Sequence, residues 1–235
     1  MSTANSHFFQ KHRLALKLGY TRKMKFLSHR GFWKTKKEQN TLVAFKKSFM
    51  DGFGCELDIR DCEGQLVISH DLPTKPYLLL ETVFQNYKNI NCDVPIAINI
   101  KADGLQILLK ELIEKYSITN YFVFDMSVPD TLGYEKNQLK FFTRHSEYEP
   151  YPALYEEAEG VWLDCFKSNW WTIKEVEKHL QQEKIIALVS PELHRREYKQ
   201  IWDTWRKIEL EFETDNLMLC TDYPKEAKEF FNDGN

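Results

Sequence analysis

From residue 26 onward, short apolar runs alternate with stretches of helical periodicity. Eight runs stand out: FLSH from Phe26, GCELDI from Gly54, IAINIK from Ile96, YFVFD from Tyr121, KFFTR from Lys140, GVWLD from Gly160, KIIALVS from Lys184 and NLMLC from Asn216. Runs this short and this apolar suit strands buried on both faces of a parallel sheet. Residues 40–51 predict a helix with Leu42, Phe45 and Phe49 on one face. Helices are also predicted over 105–116, over 172–182 with Thr172 as N-cap, over 198–209, and over 224–231 with Pro224 in its first turn. Residues 128–138, holding Pro129 and Gly133, predict at best a short helix, and the acidic, Tyr/Pro-rich stretch 147–159 predicts a loop. After the second strand, DCEGQLVISHD predicts a turn at Glu63–Gly64 and an extra extended run, Leu66–Ser69. The pattern predicts an α/β fold of eight strand–helix units, a (β/α)8 TIM barrel with a small β-hairpin inserted after strand 2. Residues 24–235 form one expected domain, and residues 1–23 a basic leader or extension.

Composition adds exclusions. In 235 residues, 43% hydrophobic and 29% charged, there is material for one sizeable folded domain. No apolar run approaches the roughly 20 residues that span a bilayer, so no stable membrane insertion is expected. Five cysteines, without CxxC or zinc spacing, point to reduced thiols and a cytoplasmic protein. The formal charge of −3 conceals a split, because residues 1–37 carry ten Lys or Arg and no acid. Residues 7–18, basic and partly amphipathic, also suit a transit peptide or membrane-surface helix. The acidic remainder disfavours nucleic acid as a partner. Lys34, Lys36 and Lys37 fall in the first strand–helix loop, where they can draw an anionic substrate inward.

Each strand ends in polar chemistry: Ser28-His29-Arg30, Glu56-Leu57-Asp58, Asn99-Ile100-Lys101, Asp125, Arg144, Asp164, Pro191-Glu192 and Thr221-Asp222. Barrel enzymes build their sites at these carboxyl ends. Glu56 and Asp58, two apart on one strand, point to one side. Two such carboxylates call for a cation between them, Mg²⁺ or Ca²⁺, or for salt bridges to Arg30, Arg60 or Lys101, and their place at the mouth favours the metal. Lys101 shares the cavity with Asn99, ready for an anionic oxygen or for pairing with Glu56 or Asp125. Arg30 suits a phosphate oxygen. His29 and His70 suit acid–base work. His12, His145 and His179 read as structural, and His194 stays open. Trp33 and Trp170-Trp171 either wall the site or pack the rim.

SHRG at 28–31, QNTLVAF at 39–45 and CELDIRDCEGQLVISHD at 55–71, with AINIK, SPELH and CTDYP further on, resemble the glycerophosphodiester phosphodiesterase family. The resemblance covers nearly all of the chain from Met24. It implies a metal-assisted phosphodiester hydrolase acting on a glycerophosphodiester or a related small phosphodiester. His29 and His70 would be the general acid/base pair, Arg30 and Lys101 the phosphate contacts, and Glu56, Asp58 and Asn99 the metal ligands. A substrate hydroxyl would attack phosphorus, and water would open the cyclic product. Three positions depart from the family pattern: Asn99 replaces a ligand glutamate, Gln39 the glutamate that opens the first helix, and Glu63-Gly64 an Asp-Gly turn. Glu192 or Asp164 are candidates to restore the missing charge. Asn99 also motivates an alternative, a catalytically impaired barrel that binds a phosphorylated ligand, and a separate alternative is an enzyme for an inositol, sphingolipid or sugar-linked phosphodiester.

Overall fold

The computed structural model describes residues 24–212 and 214–232. The expected leader, with His12, lies outside them. Among the described residues, ten strands are formed: β1 (Lys25–Ser28), β2 (Gly54–Cys62), β3 (Gln65–Ile68), β4 (Leu78–Leu79), β5 (Ile96–Ile100), β6 (Tyr121–Phe124), β7 (Phe142–His145), β8 (Gly160–Leu163), β9 (Ile185–Val189) and β10 (Leu217–Thr221). The helices are α1 (Leu42–Met50), α2 (Leu80–Ile90), α3 (Gln106–Lys115), α4 (Val128–Lys136), α5 (Ile173–Gln181), α6 (Lys199–Phe212) and α7 (Pro224–Asn232).

The architecture is α/β with a mostly parallel sheet. Parallel pairing links β7, β8, β9, β10, β1, β2, β5 and β6 in that order. β6 and β7 meet at one parallel bridge, Val123–Phe141. β3 runs antiparallel to β2 across a turn at Glu63 and Gly64, both at positive φ, and β4 extends this arm. Alternate residues separate two environments. Leu27, Ala97, Phe122, Phe124, Phe142, Trp162, Ala187, Met218 and Cys220 cluster on one face. There Phe122 stacks on Phe142 at 3.7 Å and Phe124 on Trp162 at 3.9 Å. The other face of β2 and β5, with Cys55, Leu57, Ile59, Ile96, Ile98 and Ile100, packs against a helical layer that includes Phe45, Val83, Phe84 and Leu109.

Local chemistry explains where elements begin. Thr41 and Ser127 cap α1 and α4 through their side chains, and Thr172 with Glu175 forms a capping box on α5. Pro129 falls in the first turn of α4, where no N–H is needed, so this segment is a regular helix. Helix α2 was not anticipated from the sequence. Leu80, Val83, Phe84 and Tyr87 bury one face, diluted in the sequence by Gln, Asn and Lys on the other. Of the expected eight strand–helix units, the one after β7 carries no helix, in keeping with the loop predicted over 147–159. Pro150 and Pro152 remove backbone donors there. Glu147 is engaged instead with the backbone N–H groups of Phe166, Lys167 and Ser168.

His145 and His179 are structural, as expected. His145 Nδ1 lies 2.9 Å from His179 Nε2, and Tyr155 Oη 2.8 Å from His179 Nδ1. Burial, with His145 and Lys178 close by, holds the His179 pKa down from 6.5 to about 4. The neutral imidazole therefore supports the fold fully above pH 6.5, and that support is lost as pH falls toward 4. Thermal midpoints measured between pH 7 and pH 4 should decline across this window, and His179→Gln should flatten the decline.

Candidate active site

The alternation that buries Cys55, Leu57 and Ile59 against the helices turns Glu56 and Asp58 to the opposite face, where both are almost wholly buried. β5 is registered so that Asp58 stands opposite Asn99. Asn99 Nδ2 donates to Glu56 Oε1 at 3.1 Å, and the Arg30 backbone N–H donates to Glu56 Oε2 at 3.0 Å. Arg30 is presented by a left-handed backbone (φ 56°), followed by Gly31 at φ 87°. Arg30 Nε lies 3.0 Å from Asp58 Oδ2 as an ion-pair contact. Lys101 donates to Asp125 Oδ2 at 3.0 Å, and its Nζ lies 3.6 Å from Asp58 Oδ1. Arg144 pairs with the other Asp125 oxygen.

His29 sits beside this cluster. Its Nδ1 is 2.7 Å from Asp222 Oδ1, and its Nε2 is 4.0 Å from Glu56 Oε2. With Nδ1 directed at the Asp222 carboxylate, a neutral His29 ring presents Nε2 as its acceptor nitrogen. Burial opposes protonation of His29, but the hydrogen bond to Asp222 and the charges of Glu56 and Asp222 outweigh it, so the pKa is raised. Burial and the Asp58 charge push Glu56 up in turn, with His29 and Arg30 pulling it partly back.

The structure thus joins His29, Arg30, Glu56, Asp58, Asn99 and Lys101 into one network. His70 stands at its edge. It follows β3, its side chain is 46% exposed, and its Nδ1 lies 2.9 Å from Asp71 Oδ1. It lines a groove of about 490 Å³ together with Asn40. Asn40 is the site residue that sequence reasoning passed over. Its Nδ2 donates to Asp58 Oδ2 at 2.7 Å, and its only signal was membership of the QNT segment. Asp222 was noted as a strand end but not as the partner of His29. Trp33 braces the site by donating from Nε1 to the His29 carbonyl at 2.9 Å. Trp171 packs in the core on Trp205.

Two oxygens of the network, Asp58 Oδ1 and Asn99 Oδ1, are buried without a hydrogen-bond partner. These acceptors, free of hydrogen bonds on facing residues beside the Glu56 carboxylate, form an all-oxygen donor set, which fits a hard divalent cation, although Lys101 Nζ stands 3.6 Å from Asp58 Oδ1. Neither candidate for restoring charge joins them. Glu192 accepts from the Asp222 N–H at 3.1 Å and binds Ser190 and Thr221, and Asp164 pairs with His194. Among the described residues, no three His, Cys, Asp or Glu side chains gather as a metal site.

Comparison with solved structures places the fold on a known scaffold. A glycerophosphodiester phosphodiesterase from Agrobacterium tumefaciens str. C58 superposes with a TM-score of 0.64 at 13% identity, over 88% of this chain and 99% of that one. The fold is that of a glycerophosphodiester phosphodiesterase. A glycerophosphoryl diester phosphodiesterase from Parabacteroides distasonis ATCC 8503 has a TM-score of 0.62 at 12% identity, over 91% and 87% of the two chains. A phosphodiesterase from Oleispira antarctica, in complex with the product sn-glycerol-3-phosphate, has a TM-score of 0.62 at 11% identity, over 88% and 96%. No protein-family model matches the sequence, and no curated protein is detectably similar to it. The likeness to the glycerophosphodiester phosphodiesterase fold therefore lies in chain path. Among the described residues, no helix is long and apolar enough to cross a membrane.

Proposed function

We propose that the chain is a metal-assisted phosphodiester hydrolase of the glycerophosphodiester phosphodiesterase family, built on a (β/α)8 barrel with the β2–β3 hairpin as an insertion. Its substrate is a glycerophosphodiester or a related small phosphodiester. The observation that carries this reading is the His29–Asp222 pair set against Glu56, with Arg30, Asp58, Asn99 and Lys101 in the same network.

Glu56, Asp58 and Asn99 would hold the divalent cation, Mg²⁺ or Ca²⁺. Bound there, it supplies Lewis-acid stabilisation of charge on the phosphoryl oxygens. Arg30 and Lys101, both bordering Asp58, bind the same oxygens and offset the charge that grows on them. His29 Nε2 takes the proton of the attacking hydroxyl as that oxygen bonds to phosphorus. Asp222 fixes the ring and stabilises the imidazolium. His70, steadied by Asp71 beside the groove it shares with Asn40, gives the proton that the leaving alcohol needs as its P–O bond breaks. Water then opens the cyclic product by the reverse use of the two imidazoles. Five free thiols suit a cytoplasmic setting.

A panel of phosphodiesters assayed with Mg²⁺, Ca²⁺, Mn²⁺ and EDTA tests the reading. Hydrolysis with a divalent cation and its suppression by EDTA are expected. Full activity of the metal-free protein would remove Glu56, Asp58 and Asn99 from ligation. The amide at Asn99, in place of a third carboxylate, keeps one rival in view: a barrel that binds phosphorylated ligands without turnover. Titration calorimetry with glycerophosphocholine would reveal it as tight binding with no product.

A further inference from the structure

The SPELH turn is the sequence motif that the proposed reaction leaves unused, and its last residue faces a second polar cluster. In the order of paired strands, β8 stands four places from β2, and β9 four places from β5. In the proposed barrel, their carboxyl ends therefore lie across the mouth from Glu56, Asp58 and Asn99. His194 Nε2 is there 2.6 Å from Asp164 Oδ1, a carboxylate that is buried while the imidazole keeps about a fifth of its surface open. Asp164 Oδ1 also accepts from the Cys165 N–H at 2.8 Å. With Nε2 spent on Asp164, His194 retains Nδ1 for another partner. Phe166 lies between His194, 4.6 Å from its ring, and Arg144, 5.3 Å over its ring. The backbone of Phe166 is pinned by the Glu147 carboxylate at 3.0 Å, so the wall is built before a ligand arrives. Arg144 Nε is buried without a hydrogen-bond partner and stands 3.6 Å from Glu149 Oε2, on a carboxylate nearly half exposed.

The chemistry of this wall selects among ligands. A quaternary ammonium neither donates nor accepts hydrogen bonds, so it would leave Arg144 Nε and the second His194 nitrogen unmatched and set another cation beside the Arg144 guanidinium. An acyl chain would bury these charged groups without hydrogen bonds, which is costly. Hydroxyl groups, which donate and accept, suit Arg144, Glu149 and His194 together. Resting on the proposed phosphodiesterase reading, we infer that Arg144, Glu149 and His194 form a subsite for a polyhydroxylated alcohol esterified to the phosphate. Its source is either the glycerol half of the substrate or a cyclitol or sugar on the other side of phosphorus.

Three substrates separate these sources: glycerophosphoinositol, glycerophosphocholine and 2-hydroxypropyl p-nitrophenyl phosphate, which keeps the attacking hydroxyl and has no other. His194→Ala should raise KM for glycerophosphoinositol about ten-fold or more, the loss expected for hydrogen bonds from a polar group. It should leave KM for 2-hydroxypropyl p-nitrophenyl phosphate unchanged. A parallel rise with glycerophosphocholine places the glycerol half on the wall, and no rise with it places the other alcohol there; both support the subsite. Glu149→Gln, at a half-exposed position, repeats the test should loss of His194 weaken the fold around Asp164. Equal effects on all three substrates, or on none with either variant, overturn the subsite. Absence of any hydrolysis by the unaltered protein overturns the phosphodiesterase reading and the subsite with it.

Discussion

His29→Ala lowers kcat for phosphodiester hydrolysis by about 10²- to 10⁴-fold, the range ordinarily carried by one general base. The expectation rests on two contacts that leave one nitrogen free for the proton. Asp222 holds Nδ1 at 2.7 Å, and Nε2 faces Glu56 at 4.0 Å. Fold and substrate binding survive in this variant, because the His29 side chain occupies the carboxyl end of β1 and no hydrophobic cluster depends on it. Steady-state rates on the most active diester of the panel, with a thermal melt of the same sample, make the check. A variant with near-normal kcat would remove His29 from proton transfer.

Gly31→Val is expected to destabilise the protein by about 2–5 kcal/mol, and to do so without touching a reacting group. Two independent causes act at this position. The backbone is left-handed, at φ 87°, where a β-branched residue is strained. A Cβ there would also lie 2.7 Å from Ala44 Cβ and 2.9 Å from the Ala44 carbonyl carbon. The second atom belongs to the backbone of α1, and the Phe32 N–H donates to the Ala44 carbonyl at 3.0 Å, so helix and loop cannot separate freely. Because Arg30 reaches Glu56 through its own N–H, activity should fall together with stability. Urea unfolding measures the first effect, and a midpoint equal to that of the unaltered protein would contradict it.

Much of this site was legible before any coordinates. Each parallel strand begins within two residues of its apolar run, because strands buried on both faces leave an unbroken apolar signature. The two-residue spacing of Glu56 and Asp58, and of Asn99 and Lys101, fixed which side chains share a face. What stayed hidden depends on distance in the chain or on neighbours. Nothing local in TDYP says that Asp222 meets His29. Lys101 has two carboxylates in reach, and only the fold shows that it takes Asp125 and borders Asp58 rather than Glu56. Helix α2 was obscured because Leu78 and Leu79, just before it, pair with β3 as strand residues and blur the change of period. Asn40 had no signature of its own, as an asparagine near a helix start usually reads as capping.

The pairing of His29 with Asp222 joins residues 193 positions apart, on strands β1 and β10, which lie side by side. The imidazole is therefore synthesised well before its matching carboxylate. Until β10 docks between β1 and β9, His29 lacks its Asp222 partner and the rise in proton affinity that this partner brings. The Glu56–Asp58–Asn99 contacts involve only β2 and β5 and do not supply the dyad. That is completed by β10, the last strand among the described residues.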